Sequence, residues 1–388
     1  MTQLLSNICD YINEKIAVND LSDENYISTE NMLPNKSGIV KASTLPNLQL
    51  TPAYQENDVL ISNIRPYFRK IWQAEYCGGC SNDVLVLRAK KSVNPKFLYY
   101  VLSEDKFFDY ATATSKGTKM PRGDKTAIMK YEVPEFSETE QEKIANILFP
   151  IDEKIAINSA TNNNLEQQAQ AIFNNKFVNI ESIPNNWETS NLSTIADYLN
   201  GLAMQKFRPN NDEIGIPVLK IKELRQGFCD NQSDLCSPNI KSEYLINDGD
   251  VIFSWSGTLW LDLWCSGLCG LNQHLFKVTS SKYDKWFYYF WTKYHLNKFI
   301  AIAADKATTM GHIKREDLDK SEVLIPDDET YTQLTSLLSP ILELIIKNKV
   351  ENRQLIQLRD TLLPKLMSGE IDVTNVDIST DKLSFSEK

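Results

Sequence analysis

The chain has 388 residues, of which 42% are hydrophobic and 24% are charged, and its formal net charge is −10. This length predicts two domains of ~100–200 residues each, and the composition is typical of a soluble globular protein. No apolar run reaches the ~18 residues of a membrane span, and the first residues lack the pattern of a signal peptide, so we expect a cytoplasmic protein. The acidic total argues against non-specific affinity for nucleic acid.

The charge is unevenly distributed along the chain. Residues 59–125 contain twelve Lys and Arg against six Asp and Glu, and residues 249–315 contain eight against four. Both windows are therefore basic within an acidic protein, as a polyanion-binding surface would be. An ordinary solvated surface explains either window equally well when it is taken alone.

The first 135 residues predict a domain of strands with one aromatic helix. Short strands are expected at residues 57–62 and 83–87, and a helix at 97–102, Phe-Leu-Tyr-Tyr-Val-Leu. The aromatic side chains of this helix are expected in the core, with a base-stacking surface as the alternative.

Two polar segments of this half carry the residue types that contact phosphates and base edges. These candidate DNA-binding residues are Arg65, Tyr67, Arg69, Lys70, Ser115, Lys116, Thr118, Lys119 and Arg122. For any one of them, a solvated loop position is an equally good explanation.

A helical region is predicted at residues 136–178. A short helix is expected over 138–148, opened by a capping box that begins at Ser137 and uses Gln141. Because proline inside a helix costs ~3 kcal/mol, we expect the helix to restart or kink at Pro150 and then to continue to about Lys176. From Leu148 to Ile172, a seam of mostly apolar residues advances in steps of three and four, with asparagine at Asn158 and Asn162.

The chain then repeats itself with an offset of 190 residues. Residues 147–151, Ile-Leu-Phe-Pro-Ile, match 337–341, Leu-Leu-Ser-Pro-Ile. The strand at 57–62 matches 249–254, and the aromatic helix matches 286–291. A period this long indicates two copies of a domain-plus-helix unit.

The second copy differs from the first in its polar segments. Its candidate DNA-binding residues are Ser256, Thr258, Trp260, Gln273, His274, Lys306, Thr308, Thr309, His312 and Lys314. A shared scaffold with divergent polar loops suits two different half-targets.

A second helix is predicted to begin with Ser339 as its cap and Pro340 in its first turn, and to end near Gly369. Its seam runs from Leu338 to Leu362 and repeats the asparagine pair as Asn348 and Asn352.

Antiparallel pairing of the two seams places asparagine opposite asparagine, 158 with 352 and 162 with 348. It sets apolar residues against each other nearly everywhere, with Ile151 opposite Arg359 as the exception. We expect the asparagines to fix the register of this helix pair. Parallel pairing, or packing of each helix on its own domain, remains an alternative.

The predicted helix from Pro150 to Lys176 would be ~40 Å long at 1.5 Å per residue. This length is close to the ~34–36 Å that separate DNA half-sites one helical turn apart. The helix pair therefore has a suitable length to space two DNA-reading domains.

Searches for catalytic motifs find no phosphate-binding loop, dinucleotide fingerprint, zinc-hydrolase motif or nucleophile elbow. Cys77 and Cys80 have the spacing of zinc ligands, but no second pair accompanies them, so structural cysteines are expected. We predict no metal and no cofactor on this chain. Residues 371–388 are expected to form an acidic, flexible tail.

Several motifs together resemble the specificity subunits of type I restriction-modification systems. Residues 137–148, Ser-Glu-Thr-Glu-Gln-Glu-Lys-Ile-Ala-Asn-Ile-Leu, look like the central conserved region of that family. Residues 358–371, Leu-Arg-Asp-Thr-Leu-Leu-Pro-Lys-Leu-Met-Ser-Gly-Glu-Ile, look like its distal conserved region. Residues 183–188, Ile-Pro-Asn-Asn-Trp-Glu, resemble the start of its second target-recognition domain. The second copy departs from the central pattern at residues 330–335, Thr-Tyr-Thr-Gln-Leu-Thr.

The resemblance implies an α+β protein with two pseudo-symmetric target-recognition domains separated by a long antiparallel two-helix coiled coil. The expected limits are 1–135 and 179–326 for the recognition domains, 136–178 and 327–370 for the conserved helical regions, and 371–388 for the tail. It implies a non-catalytic subunit that binds a bipartite double-stranded DNA target. It also implies two methyltransferase subunits that bind S-adenosylmethionine, and a restriction subunit that uses ATP and Mg.

Two other functions stay open at this point. A coiled-coil scaffold that binds only proteins would lack salt-dependent DNA affinity. A self-contained nuclease or methyltransferase would show turnover as the isolated chain, and the missing motifs count against it.

Overall fold

The computed structural model describes residues 1–305, 311–374 and 376. The chain divides into two compact units. The first unit contains residues 1–153 together with 356–388, and the second contains 154–355. The predicted residues Lys306, Thr308 and Thr309, and most of the predicted tail, lie outside the described residues.

The first unit is built from strands and short helices before its long helical segments. Its strands are β1 (Thr2–Leu4), β2 (Cys9–Tyr11), β3 (Lys15–Ala17), β4 (Tyr26–Ile27), β5 (Leu50–Tyr54), β6 (Val59–Ser62), β7 (Ile71–Gln73), β8 (Gly78–Cys80), β9 (Val84–Ala89) and β10 (Glu132–Pro134). Its short helices are α1 (Leu5–Ile8), α2 (Pro95–Ser103), α3 (Asp105–Ala113) and α4 (Lys125–Ile128).

Two four-stranded sheets form the body of the first unit, in the orders β2-β9-β6-β7 and β3-β5-β8-β4, while β1 pairs only with β10. Side chains of a strand alternate between the two faces of its sheet. On one face, Val59, Ile61 and Leu85 pack with the aromatic helix α2 in the main core. On the other face, Leu60 and Val86 pack into a second core.

The second unit repeats this arrangement. Its strands are β11 (Glu188–Asn191), β12 (Asp197–Asn200), β13 (Ile216–Leu219), β14 (Leu235–Cys236), β15 (Leu245–Ile246), β16 (Val251–Ser254), β17 (Trp260–Leu263), β18 (Cys269–Leu271), β19 (Leu275–Thr279) and β20 (Glu322–Ile325). Its short helices are α6 (Leu192–Ile195), α7 (Ile221–Gln226), α8 (Lys285–Asp305) and α9 (Arg315–Asp319). The sheet β12-β19-β16-β17 has the strand order of the first unit's main sheet.

The smaller sheets share three strands and differ in the fourth. In each, a central strand (β8 or β18) has one parallel and one antiparallel neighbour. The additional strand of the first unit is β3, which lies beside β5, and that of the second unit is β14, which lies beside β13. These sheets were not predicted, because their strands are mostly two or three residues long and separated by long polar connections.

Two long helices complete the chain, α5 (Glu138–Phe173) and α10 (Asp328–Met367). The capping box at Ser137 is present, but its partner is Glu140 and not Gln141. The Ser137 N–H donates to Glu140 Oε2 (2.8 Å), and the Glu140 N–H donates to Ser137 Oγ (3.3 Å). The predicted end of α10 is confirmed, since Gly369 adopts a left-handed conformation two residues after Met367 (φ 73°).

The predicted restart at Pro150 and the predicted helix start at Ser339 and Pro340 are wrong, because both prolines lie inside continuous helices. A proline frees the carbonyl group four residues earlier, which becomes costly when that carbonyl is buried. Pro340 is exposed and Pro150 is half-buried, so water can reach that side of each helix. On the opposite side of each helix, packing of the seam residues offsets the backbone hydrogen bond that the proline cannot form.

The seam residues are buried or half-buried throughout, and the antiparallel pairing is confirmed. Within the second unit, Asn158 Nδ2 donates to Asn352 Oδ1 (2.9 Å), and Asn348 Nδ2 donates to Asn162 Oδ1 (2.9 Å). Asn162 also donates to the Ile345 carbonyl (3.2 Å). Each amide that the helix pair buries is thereby satisfied by the facing helix.

The one charged seam residue, Arg359, is neutralised within the first unit. Its Nη1 lies 2.8 Å from Asp152 Oδ1, and Tyr100 donates a hydrogen bond to the other oxygen of Asp152 (2.8 Å). Burial by itself lowers the pKa of Arg359, and Asp152 together with Asp360 raises it above the ordinary value. The guanidinium thus remains charged beside the apolar core. Among the residues that the structure describes, no helix is long and apolar enough to cross a membrane.

Candidate nucleic-acid interface

In the first unit, the two polar segments predicted from the sequence come together. The hairpin loop (residues 63–69) joins β6 to β7, and the crossing segment (residues 115–123) runs beside it. The Arg65 N–H donates to the Pro121 carbonyl (2.8 Å), and the Gly123 N–H donates to the Asn63 carbonyl (3.0 Å). A Cβ atom on Gly123 would lie 2.8 Å from Asn63 Oδ1, so this close approach favours glycine.

The crossing segment is itself a small hairpin. The Lys116 N–H donates to the Arg122 carbonyl (2.8 Å), and the Arg122 N–H donates back to Lys116 (2.9 Å). Thr118 and Lys119 lie between them and are exposed. Ser115 donates its hydroxyl to the Thr112 carbonyl (2.7 Å), which ties the base of the segment to α3.

The cations of this surface differ in how freely they face solvent. Lys116 pairs with Asp124 (2.5 Å) but keeps 80% of its side chain exposed, and Arg122 pairs with Asp83 (3.1 Å) with 55% exposed. Lys119 forms no ion pair within residues 1–305 and 311–374. Such exposed pairs are weak and can exchange for phosphate contacts.

Arg69 and Lys70 are engaged within the protein. Arg69 contacts Asp105 (2.8 Å) and Asp109 (3.6 Å) on α3. Lys70 donates to the Thr29 carbonyl (2.6 Å), and burial lowers the pKa of its ammonium group. These two residues are better placed to anchor the hairpin loop than to contact a ligand.

The second unit brings its polar segments together in the corresponding place. Here the hairpin loop (residues 255–259) joins β16 to β17, and the crossing segment comprises residues 311–314. The Gly257 N–H donates to the Gly311 carbonyl (2.9 Å), and the Ile313 N–H donates to the Trp255 carbonyl (3.0 Å). Gly257 has a φ of 64°, which favours glycine at the loop tip.

The polar side chains of this unit form a connected group. Ser256 Oγ lies 3.0 Å from His274 Nδ1, and Gln273 Nε2 lies 3.3 Å from His274 Nε2. His312 pairs through its backbone with Ser256, and its ring centroid is 6.3 Å from that of Trp255. Thr258 and Lys314 are exposed, and Trp260 is 42% exposed.

Two residues of these surfaces were not predicted from the sequence. Asn63 is buried beneath the first hairpin loop, and its Oδ1 lacks a hydrogen-bond partner among the described residues. Trp255 donates to Asn200 Oδ1 (2.9 Å) and stacks on Phe276. Asn63 and Trp255 each directly follow the final serine of the repeated strand. This shared position in the sequence could have revealed both residues.

Metal-binding geometry is not evident in this region. Within residues 1–305 and 311–374, no group of three or more His, Cys, Asp or Glu side chains is arranged to hold a metal ion. Cys77 is exposed and Cys80 is buried, and both are free thiols. Burial raises the pKa of Cys80 to about 12, so its thiol stays protonated.

Each copy of the repeated α+β scaffold thus holds one pair of polar loops together. A family model described as "Type I restriction modification DNA specificity domain" matches residues 5–167 and again residues 184–357. The chain therefore belongs to the family of type I restriction-modification specificity subunits, which recognise DNA and are not themselves catalytic. This confirms the resemblance drawn from the sequence.

Individual relatives agree with this assignment. The chain is 27% identical over 309 residues to the type I restriction enzyme MjaIX specificity subunit of Methanocaldococcus jannaschii, covering 73% of this chain and 71% of that protein. It is 22% identical to the HindI specificity subunit of Haemophilus influenzae, covering 95% of this chain and 98% of that protein. The crystal structure of the type I S subunit from M. genitalium has a TM-score of 0.59 at 16% identity, with 95% of this chain and 96% of that chain covered, and shows the same fold.

Proposed function

We propose that each unit reads one half of a bipartite DNA target with its hairpin loop and crossing segment, which Gln273 and His274 join in the second unit. The observation that carries this proposal is that two polar segments which differ between the copies meet at the same place in each unit. Backbone hydrogen bonds hold them together in both cases. Shared strands thus present different side chains, as recognition of two different half-sites requires.

The first unit offers flexible cations, and the second offers a hydrogen-bonded group. Lys116, Lys119 and Arg122 suit phosphate contacts or guanine edges, since lysine and arginine donate to both. In the second unit, Gln273 carries an amide that can both donate to and accept from an adenine edge. Its neighbour His274 is oriented by the hydroxyl of Ser256.

We further propose that the long helices bind the methyltransferase subunits and that a restriction subunit joins the complex. Both helices expose large apolar side chains away from the seam, with 38–54% of each accessible: Ile157, Leu337, Leu344, Ile356 and Leu358. These apolar side chains would gain from burial against a protein partner. S-adenosylmethionine, ATP and Mg would then be bound by those partners.

The test uses the protein in complex with its methyltransferase partner and a library of random DNA. Enrichment of a split motif supports the proposal. Lys119→Ala should weaken selection for the first half, and Gln273→Ala for the second, each by ~1–3 kcal/mol if a base contact is lost. Asn163→Ala, an exposed change on α5, serves as the control. A library with no enriched motif, or variants that weaken both halves equally, would contradict the proposal.

A further inference from the structure

The hairpin loop of the first unit exposes two adjacent aromatic side chains. Tyr67 is 47% exposed and Phe68 is 39% exposed, and their ring centroids lie 4.8 Å apart at 58°. The aromatic residues of α2 and α8, by contrast, are largely buried in the cores. Since aromatic side chains gain from burial, an exposed pair at a loop tip indicates a surface that a ligand covers.

The backbone around this pair is strained. Arg65 and Arg69, on either side of the short turn Pro66–Phe68, have φ values of 51° and 52°. Residues other than glycine rarely adopt this left-handed conformation, and such strain accumulates at functional sites.

Contacts with the rest of the unit hold the turn in place. The Asn35 N–H donates to the Phe68 carbonyl (2.8 Å), and the Lys36 N–H donates to the Arg69 carbonyl (2.9 Å). Asp105 on α3 binds both Arg69 (2.8 Å) and Lys36 (2.8 Å). The aromatic pair is therefore presented on a rigid support, so little ordering entropy is lost when a ligand binds.

The second unit exposes an aromatic side chain in the corresponding hairpin. Trp260 is the first residue of β17, opposite Ser254 of β16, and is 42% exposed. Its hairpin loop is two residues shorter than that of the first unit, where Ser62 lies opposite Lys70. The loops have diverged in length and sequence, yet each hairpin exposes an aromatic ring.

The surroundings of the first pair indicate the chemistry of the ligand. Arg65 precedes it in the same loop, and the crossing segment that contacts Arg65 carries the exposed cations Lys116, Lys119 and Arg122. Cations bind phosphate groups, and aromatic rings stack on bases irrespective of their identity. An apolar protein surface would match the rings but would offer no anionic group to these exposed cations.

We propose that these rings stack on DNA bases that have left their helical stacking. Tyr67 and Phe68 would contact the first half-site and Trp260 the second, so that the target is distorted at both places. This inference rests on the proposed function, because it names how the same surfaces contact DNA. It adds that part of the selectivity comes from the ease with which a base step unstacks.

The experiment uses the complex with the methyltransferase partner and the DNA enriched by the wild-type protein. 2-Aminopurine is placed in turn at each adenine of the two half-sites and on the flanking positions. Apart from the base that the methyltransferase takes out of the duplex, its fluorescence should rise on binding at one further step of each half-site. Phe68→Ala should abolish the rise in the first half-site and weaken binding of that half roughly 5- to 150-fold, and Trp260→Ala should do the same in the second.

Matched variants separate stacking from general damage. Phe68→Trp should preserve the fluorescence rise, since tryptophan stacks at least as well. Tyr76→Ala and Tyr294→Ala remove aromatic rings of similar exposure, 37% and 45%, outside the hairpin loops, and should leave both half-sites unchanged.

The possible failures are distinguishable. Three results would overturn the stacking proposal and leave the proposed function intact. The first is sequence-specific binding by the wild-type complex without this further fluorescence rise. The second is retention of the rise by Phe68→Ala and Trp260→Ala, and the third is binding of these variants with wild-type affinity. A library without any enriched motif would overturn the proposed function and the stacking proposal with it. The fluorescence test of the wild-type complex does not depend on any variant, so misfolding of a variant would not affect its result.

Discussion

Replacing one asparagine of the helix pair should cost more than replacing both. Asn162→Leu removes the acceptor of Asn348 Nδ2 and the donor to the Ile345 carbonyl. Both asparagines are buried, with 6% and 7% of their surface exposed. Asn348 Nδ2 is left without its acceptor, whereas the Ile345 carbonyl keeps its hydrogen bond within α10. Because a buried polar group without a partner costs ~1–3 kcal/mol, the free energy of unfolding should fall by about that amount.

Asn162→Leu together with Asn348→Leu should restore most of this stability. The double variant replaces an amide pair with an apolar pair inside a mostly apolar seam, an exchange that is often neutral or stabilising. The coupling free energy in a double-mutant cycle should therefore be about 1–3 kcal/mol. Asn163→Leu, an exposed change on the same helix, should stay within ~0.5 kcal/mol of the wild type.

Urea unfolding followed by circular dichroism at 222 nm provides the free energies. The pairing is checked independently by disulfide formation between cysteines introduced at 155 and 355, with 155 and 345 as the mismatched pair. A coupling energy near zero, or a single variant as stable as the wild type, would refute the claim that the amides satisfy each other across the seam. A disulfide at 155 and 345 alone would refute the antiparallel register.

Two further predictions concern the individual units. Burial raises the pKa of Glu104, which is 6% exposed, from 4.5 to about 7. The folded state therefore binds this proton more tightly than the unfolded state, so the contribution of Glu104 to stability is greatest below about pH 4.5 and falls by up to about 3 kcal/mol as the pH rises through 7. Urea midpoints between pH 4 and 8 should show this decline in the wild type and a flatter profile in Glu104→Gln, and parallel profiles would contradict it. Arg353→Ala should lose about 1–2 kcal/mol, because its guanidinium binds both oxygens of Asp248 (2.7 and 2.9 Å) and the Cys265 carbonyl (3.0 Å). Hydrogen exchange should accelerate at residues 248–267 of this variant, whereas the exposed change Lys347→Ala should have no effect, and unchanged protection would contradict an anchoring role.

The sequence predicted those features in which periodicity dominates. The seams and the asparagine pairing follow from a period of 3.5 residues, and the strands at 59–62 and 251–254 follow from short apolar runs that are buried on both faces of a sheet. The prediction failed where tertiary packing outweighed the local conformational preference of a residue. Pro150 and Pro340 disfavour a helix locally, but packing along the seam outweighs a cost of ~3 kcal/mol.

The candidate interface was predicted as separate loops and not as an assembled surface. The types of residue at 65, 116–122, 256 and 312 suggested DNA contacts, but only the fold shows that each hairpin loop pairs with its crossing segment. Ion pairing was also invisible in the sequence, since Arg69 and Lys70 look like free cations until Asp105 and the Thr29 carbonyl are located. Partners so distant along the chain cannot be identified without the tertiary structure.

The division of the chain between the two units has a consequence for the order of folding during synthesis. The second unit is one continuous stretch, residues 154–355, whereas the first needs both 1–153 and 356–388. Leu363, Leu366, Met367 and Val373 belong to the core that Leu5 and Ile8 begin. During synthesis, residues 1–153 are made first, but the first unit can be completed only after residues 356–388 have been made. The second unit can therefore fold before the first unit.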